Sequence, residues 1–221
     1  RGPVNSRSAY KVHAMLIPMV LVVWRWGACK RWEDIARLGL VHDDVAKVLV
    51  DEQVIEKRLD AVAEKVMEDF GGREFVAIVI LKGALVFAAD LLRRMQVPLQ
   101  IETLNVSSYH GGTESSGQVD FLDHKLPDVA GEQVLVIDDI LDTGRTLIAV
   151  KKKLVEQGAE MVRSCVLLSK DKERATEVEA DYTGFVIGDE FVVGYGLDYR
   201  GLYRNLPYVG VLKEECIKEE L

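Results

Sequence analysis

Val134-Leu-Val-Ile-Asp-Asp-Ile-Leu-Asp-Thr-Gly-Arg-Thr-Leu147 decides how this chain is read. Val134 to Ile137 are four β-prone apolar residues, the pattern of a strand buried on both faces. Asp138 and Asp139 stand where that strand is expected to end. Asp142-Thr143-Gly144-Arg145-Thr146 then turns the chain into an amphipathic helix. In an open α/β sheet, the carboxyl end of a strand facing a helix N-terminus is where a phosphorylated ligand binds. Backbone N–H groups, the Thr143 and Thr146 hydroxyls and a flexible Gly144 suit one phosphate. No Gly-Lys-Ser/Thr follows at the spacing of a P-loop, and no G-x-G-x-x-G follows the strand. Two adjacent acids ahead of a phosphate loop point instead to carboxylates that hold ribose hydroxyls beside a 5′-phosphate. The plainer alternative is a strand with an Asp-rich turn that caps the next helix.

Composition narrows the classes. The 221 residues suffice for one domain, or one with an appendage, and 48% hydrophobic with 29% charged residues describes a soluble globular protein. A net charge of −8 argues against a nucleic-acid surface and for a small-molecule role. An anionic substrate would then need local positive charge or metal ions. Cys29, Cys165 and Cys216 are far apart and form no CxxC or Cys/His spacing, so neither a disulfide framework nor a zinc site is indicated. A reducing cytoplasm is the expected setting.

Residues 1–42 differ from the rest. Ala14 to Trp24 is an eleven-residue apolar run behind Lys11, with Arg25, Lys30 and Arg31 after it. It is too short for a membrane-spanning helix, and no A-x-A pattern follows. Three readings stay open: an appended segment, an accessory helix, or a targeting element. No stable membrane association is expected.

Beyond it, Asp51 to Phe70 carries apolar residues at 55, 59, 62, 66 and 70, a helical stripe stopped by Gly71-Gly72. Phe75 to Leu81 reads as a strand, Ala84 to Met95 as a helix, and Leu99 to Ser107 as another strand. Ser108 to Gly117 is small and polar, a flexible loop, and Val119 to Leu122 continues it as a hairpin. The helix after the opening motif ends near Gly158, and Met161 to Ser169 is a further strand. Ala180 to Leu212 holds short strands, and 213–221 is an acidic tail expected to be solvated. Strands alternating with helices mean a mainly parallel sheet flanked by helices, an α/β fold.

The opening motif resembles the signature of the type I phosphoribosyltransferases, which bind 5-phospho-α-D-ribosyl 1-pyrophosphate (PRPP). Four further places resemble the 6-oxopurine branch of that family, and together they cover residues 43–212. Leu81-Lys82-Gly83 matches a loop that holds pyrophosphate through its backbone, with a cis peptide before the lysine. Ser108-Tyr109 matches the start of a loop that closes over the reacting centre, where a ribosyl cation-like state must be shielded from water. Lys170 matches a lysine that bonds the purine 6-oxygen; Lys172 lies close by. Asp189-Glu190-Phe191-Val192-Val193-Gly194-Tyr195-Gly196-Leu197-Asp198-Tyr199 matches the purine-binding segment. In it Phe191 would stack on the base and Val192 would present backbone groups to its edge. Asp198 would hold a metal ion, and Arg204 would contact pyrophosphate.

What the resemblance implies is a type I phosphoribosyltransferase fold with a small hood subdomain and a flexible loop. It implies Mg2+, with Asp138 and Asp139 beside Asp198 as acids near the metal. Asp138 and Asp139, with Lys82, Gly83, Ser108, Tyr109, Thr143, Gly144, Arg145, Thr146 and Arg204, would bind PRPP. Asp142, which handles the purine N7 proton in the 6-oxopurine branch, and Lys170 would carry catalysis. Many members have Glu at the position of Asp138. The implied reaction is transfer of the phosphoribosyl group to hypoxanthine or guanine in purine salvage by a homodimer or homotetramer. Rival readings are a xanthine- or pyrimidine-preferring relative and a regulatory protein that keeps the fold. The acidic charge disfavours RNA binding by the latter.

Overall fold

The computed structural model describes residues 42–108, 119–121, 126–172 and 178–217. Ser107, Ser108, Val119 and Asp120 are described by their backbone only. Residues 1–41, and with them the apolar run, lie outside this range, as do Tyr109 and the rest of the polar loop.

A short strand, β1 (Val45–Val50), leads into helix α1 (Glu52–Asp69). Asp51 caps α1: its carboxylate accepts from the Val54 N–H at 3.0 Å, a bond worth about 1 kcal/mol. Ile55, Leu59, Val62, Val66 and Phe70 are buried, so the stripe expected from sequence is the inner face. The helix ends because Gly71, at φ +63°, and Gly72 return their amides to Glu68 and Met67. Strand β2 (Phe75–Leu81), helix α2 (Leu85–Leu92) and strand β3 (Leu99–Ser108) follow, then β4 (Val119–Phe121). After them come β5 (Gln133–Leu141), helix α3 (Arg145–Glu156), β6 (Met161–Lys170) and β7 (Tyr182–Ile187). The chain closes with β8 (Val192–Val193), β9 (Val209–Leu212) and a 3-10 turn at Glu214–Cys216.

Six strands form one sheet in the order β4-β3-β2-β5-β6-β7, parallel except for β4, which pairs antiparallel with β3. Both faces are covered, which is why β2 and the Val134–Ile137 stretch of β5 are unbroken apolar runs. On one face Ala77, Val79, Leu135 and Ile137 pack with α1 and α2. On the other, Val76, Ile78, Val134 and Val136 pack with Leu147, Val150 and Leu154 of α3. At the β7 edge Arg58 of α1 donates to the carbonyls of Gly184 (2.8 Å) and Thr183 (2.7 Å), which satisfies part of an otherwise open edge.

A second sheet, β1-β9-β8, is antiparallel and forms the hood. It joins the first and last parts of the described chain, and Val50, Val192 and Val209 tie it to the main core. Residues 213–217, the described part of the tail, are partly packed against the hood. The Lys213 amide donates to the Asp44 carbonyl at 2.9 Å, and Cys216 and Ile217 pack against the hood core. No helix among the described residues is long and apolar enough to cross a membrane.

Every proposed site residue lies between Lys82 and Arg204. Deletion of residues 1–40 is therefore expected to leave kcat and KM unchanged in a soluble, folded protein. A folded but inactive truncation would show that the segment completes the site or an oligomer interface.

Candidate active site

The strand order reverses between β2 and β5: β2 leads through α2 to β3 on one side, and β5 leads through α3 to β6 on the other. A crevice opens at the carboxyl ends of such a strand pair. The β2–β5 ladder stops at Val79 and Ile137, whereas β5 stays paired with β6 as far as Leu141 and Ser169. The strand thus runs past Asp138 and Asp139 instead of ending at them, and their backbone is held from one side only.

Leu81-Lys82 is a cis peptide, as the resemblance implied. Gly83 lies against Asp139 so closely that a methyl group there would run into the carboxylate. Asp138 accepts from the Asp139 amide at 3.0 Å, and Asp139 accepts from the Ile140 amide at 2.9 Å. Burial, then the neighbouring Asp139 charge, pushes Asp138 well above the usual carboxylate range. Burial raises Asp139 too, against the opposing hydrogen bond from Asp138.

Asp142 to Gly144 form the turn into α3. Gly144 takes φ +79°, and a side chain there would strike Val178, so glycine is required on both counts. No side chain caps α3 and no acid sits in its first turn. Thr143 and Arg145 are exposed and Thr146 is half-buried. A helix start of this kind is fitted to an anion.

The base-side residues gather across β6, β7 and the hood. Lys170, the last residue of β6, has a side chain only 15% exposed, and its Nζ lies 2.9 Å from Asp189. Phe191 is 43% exposed and meets Tyr199 edge-on at 5.5 Å between centroids. Val192 is buried in β8, one of the two edge strands of the hood. Lys172 holds Asp142 in an ion pair and also reaches Asp189 at 3.3 Å. Its proximity to Lys170 is evident in the sequence; its contact with Asp142 is not.

Asp198 and Arg204 face each other across the hairpin that follows β8. Arg204 Nη2 lies 2.6 Å from Asp198, and Nη1 donates to the Gly196 carbonyl at 2.6 Å. The second Asp198 oxygen accepts from the Gly201 amide at 2.6 Å. Gly196, at φ +102°, abuts the Gly83 carbonyl, and any side chain there would collide with it. That contact brings the Arg204 hairpin to the Lys82-Gly83 loop. The Gly-Tyr-Gly spelling of residues 194–196 is the only sequence signal for it. Ser108 ends β3, with its backbone opposite Val119.

Two features fit magnesium. Asp138 and Asp139 are hard oxygen donors whose burial and mutual repulsion a divalent cation would relieve. Among the described residues, however, no three acidic, histidine or cysteine side chains converge. Asp198 is turned to Arg204 and does not join the pair. An ion here would take one or two carboxylates and complete its shell from the ligand's own oxygens, which is how Mg2+ is ordinarily held.

A crevice at the strand switch point, an uncapped helix start after an acid pair, and an aromatic at the hood near a lysine at the end of β6 define a phosphoribosyltransferase. The family model for the phosphoribosyl transferase domain matches residues 46–200, and the chain belongs to that family. Hypoxanthine-guanine phosphoribosyltransferase of Staphylococcus epidermidis is 44% identical over 175 residues, 79% of this chain and 98% of the relative. The enzyme of the same name from Streptococcus pneumoniae is 42% identical over 176 residues, 80% and 98% of the two chains. Among solved structures, a hypoxanthine phosphoribosyltransferase from Staphylococcus aureus superposes with a TM-score of 0.76 at 42% identity, covering 80% of this chain and 97% of that one. The Trypanosoma cruzi hypoxanthine phosphoribosyl transferase in complex with the product IMP gives 0.74 at 35% identity, covering 80% and 99%.

Proposed function

We propose that this chain transfers the 5-phosphoribosyl group of PRPP to hypoxanthine or guanine, giving IMP or GMP and pyrophosphate in purine salvage. The observation that carries the reading is the convergence of an acid-bearing phosphate loop, Asp138 to Thr146, with a nearly buried lysine at the purine side, Lys170. The 5′-phosphate sits at the start of α3, on its amides and on Thr143, Arg145 and Thr146. Ribose hydroxyls are held by Asp138 and Asp139, and pyrophosphate by Lys82, Gly83 and Arg204. Ser108 and Tyr109 close over the centre. Phe191 stacks on the base, and the Val192 backbone reads its edge.

N9 of the purine attacks C1 of the ribose. The C1–O bond to pyrophosphate breaks, its electron pair leaves with pyrophosphate, and the N7 proton passes to the Asp142 carboxylate. When bound, magnesium would supply charge neutralisation for the leaving group, held by one or two carboxylates drawn from Asp138, Asp139 and Asp198. The free thiols of Cys165 and Cys216 agree with a cytoplasmic setting. Leu85 and Ile101 are 56% and 58% exposed on a groove also lined by Leu92, Met95, Val97 and Leu99. Such an apolar face supports self-association into a homodimer or homotetramer.

Base selection tests the assignment. Lys170 offers a donor to the 6-oxygen that hypoxanthine and guanine share; adenine presents an amine donor there. Two donors left facing each other cost about 1–3 kcal/mol, so adenine is expected to be rejected at least about tenfold in kcat/KM. Lys170→Gln is expected to erode that ratio. Efficient use of adenine by the wild type would remove the 6-oxopurine assignment.

A further inference from the structure

We propose that Asp44 and Tyr203, from opposite ends of the hood, are positioning residues that hold Arg204 in place for pyrophosphate. The inference rests on the pyrophosphate role of Arg204 given above. Tyr203 is the residue before Arg204, and it adopts φ +72° although it is not glycine. A side-chain residue keeps the left-handed region only when its surroundings hold it there. What holds it is Asp44: the Tyr203 hydroxyl donates to Asp44 Oδ2 at 2.7 Å, joining residues 159 positions apart. The bond is charge-assisted. It pulls the Asp44 carboxyl below the usual range and pushes the Tyr203 phenol up to about 12, so donor and acceptor keep these states across the neutral range.

Asp44 is itself fixed from several directions. Its amide donates to His42 Nδ1 at 3.2 Å, its carbonyl accepts from the Lys213 amide at 2.9 Å, and Oδ1 accepts from the Cys216 thiol at 3.5 Å. The His42 ring meets Tyr203 edge-on at 5.2 Å, and the His42 amide donates to the Tyr208 hydroxyl at 2.9 Å. The start of β1 and the turn after β9 thus form one buttress under Tyr203. On its other side, the Leu206 amide donates to the Tyr203 carbonyl at 3.1 Å, which sets the turn from which Arg204 projects. Arg204 then reaches Gly196 and Asp198 beside the Lys82-Gly83 loop. Neither Asp44 nor Tyr203 belongs to the acid pair, the phosphate loop or the base-side group, so their effect is transmitted through Arg204.

The experiment measures KM for PRPP and for hypoxanthine, kcat, and the Kd of magnesium pyrophosphate by calorimetry, in wild type and variants. Tyr203→Phe and Asp44→Ala are expected to raise KM for PRPP and Kd for pyrophosphate about 5–20-fold, with kcat and KM for hypoxanthine within about twofold. Asp44→Asn, which keeps an oxygen acceptor, is expected to restore most of the pyrophosphate affinity. Tyr182→Phe serves as a matched control: its hydroxyl donates to Asp69 at 3.0 Å, a Tyr–Asp bond joining β7 to α1. It is expected to lower Tm and leave every kinetic constant unchanged. The proposal is overturned if folded Tyr203→Phe keeps wild-type KM for PRPP and Kd for pyrophosphate. It is overturned equally if its constants for PRPP and hypoxanthine worsen together, as a general loosening would produce. A wild type that binds pyrophosphate but transfers nothing to hypoxanthine would defeat the assigned reaction instead, and the Kd comparison would still decide the positioning role.

Discussion

Asp142→Asn is expected to lower kcat about 10²–10⁴-fold while leaving PRPP binding near the wild-type value, because a general base contributes on that order. The amide is isosteric and keeps the turn into α3, where Gly144 fixes the backbone. On the proposed assignment, Thr143, Arg145, Thr146 and the start of α3 would still meet the 5′-phosphate, and Lys82, Gly83 and Arg204 would still meet pyrophosphate. What the amide cannot do is accept the N7 proton. Lys172, paired with Asp142 in this structure, would face a neutral group in the variant. Single-turnover rates with hypoxanthine at neutral pH and a PRPP Kd on the same protein separate the two effects. An Asn variant with wild-type kcat would end the assignment of Asp142 as base.

Removal of divalent cations is expected to abolish turnover, and added magnesium to restore it. The physical reason is charge. Pyrophosphate departs as a polyanion from a protein of net charge −8, beside the buried Asp138 and the half-buried Asp139. In a water-poor crevice that repulsion is not screened as it is in bulk solvent. Asp198→Ala is expected to raise the magnesium concentration for half-maximal activity about tenfold or more, the usual scale for losing a group that orients bound metal. The same change leaves Arg204 without its 2.6 Å partner, so KM for PRPP should respond as well. Titrating chelator-stripped enzyme with MgCl2 reads both. Full activity in the stripped wild type would contradict the role of the metal.

Much of this arrangement is legible along the chain because it depends on near neighbours. The 55-59-62-66-70 stripe of α1 and its glycine stop follow from a 3.6-residue period and from the φ that Gly71 adopts. β2 and the apolar start of β5 are visible because strands buried on both faces need continuous apolar side chains. The phosphate loop is local too: strand, acids, turn and helix start lie within fourteen residues, 134–147. The resemblance of the later loops then supplied roles that composition and spacing alone do not assign.

Other features have no local signature. Val45–Val50 is short, and it is a strand because β9 pairs with it from the far end of the described chain. β5 continues past its acids because β6 accompanies it on one side after β2 has left on the other, a consequence of strand order that no window of sequence contains. The contact of Lys172 with Asp142, the seat of Gly196 on Gly83 and the Tyr203–Asp44 bond join residues separated by long stretches of chain. Sequence alone determined the α/β class and the strand–acid–turn–helix motif, since these follow from backbone propensity and the run of apolar side chains, and its resemblance to a family supplied the set of candidate residues. Tertiary structure alone decided that Asp138 is buried beside Asp139 and which lysine touches Asp142. It also decided what steadies Arg204, because burial, charge proximity and a left-handed tyrosine exist only once distant segments are packed against one another.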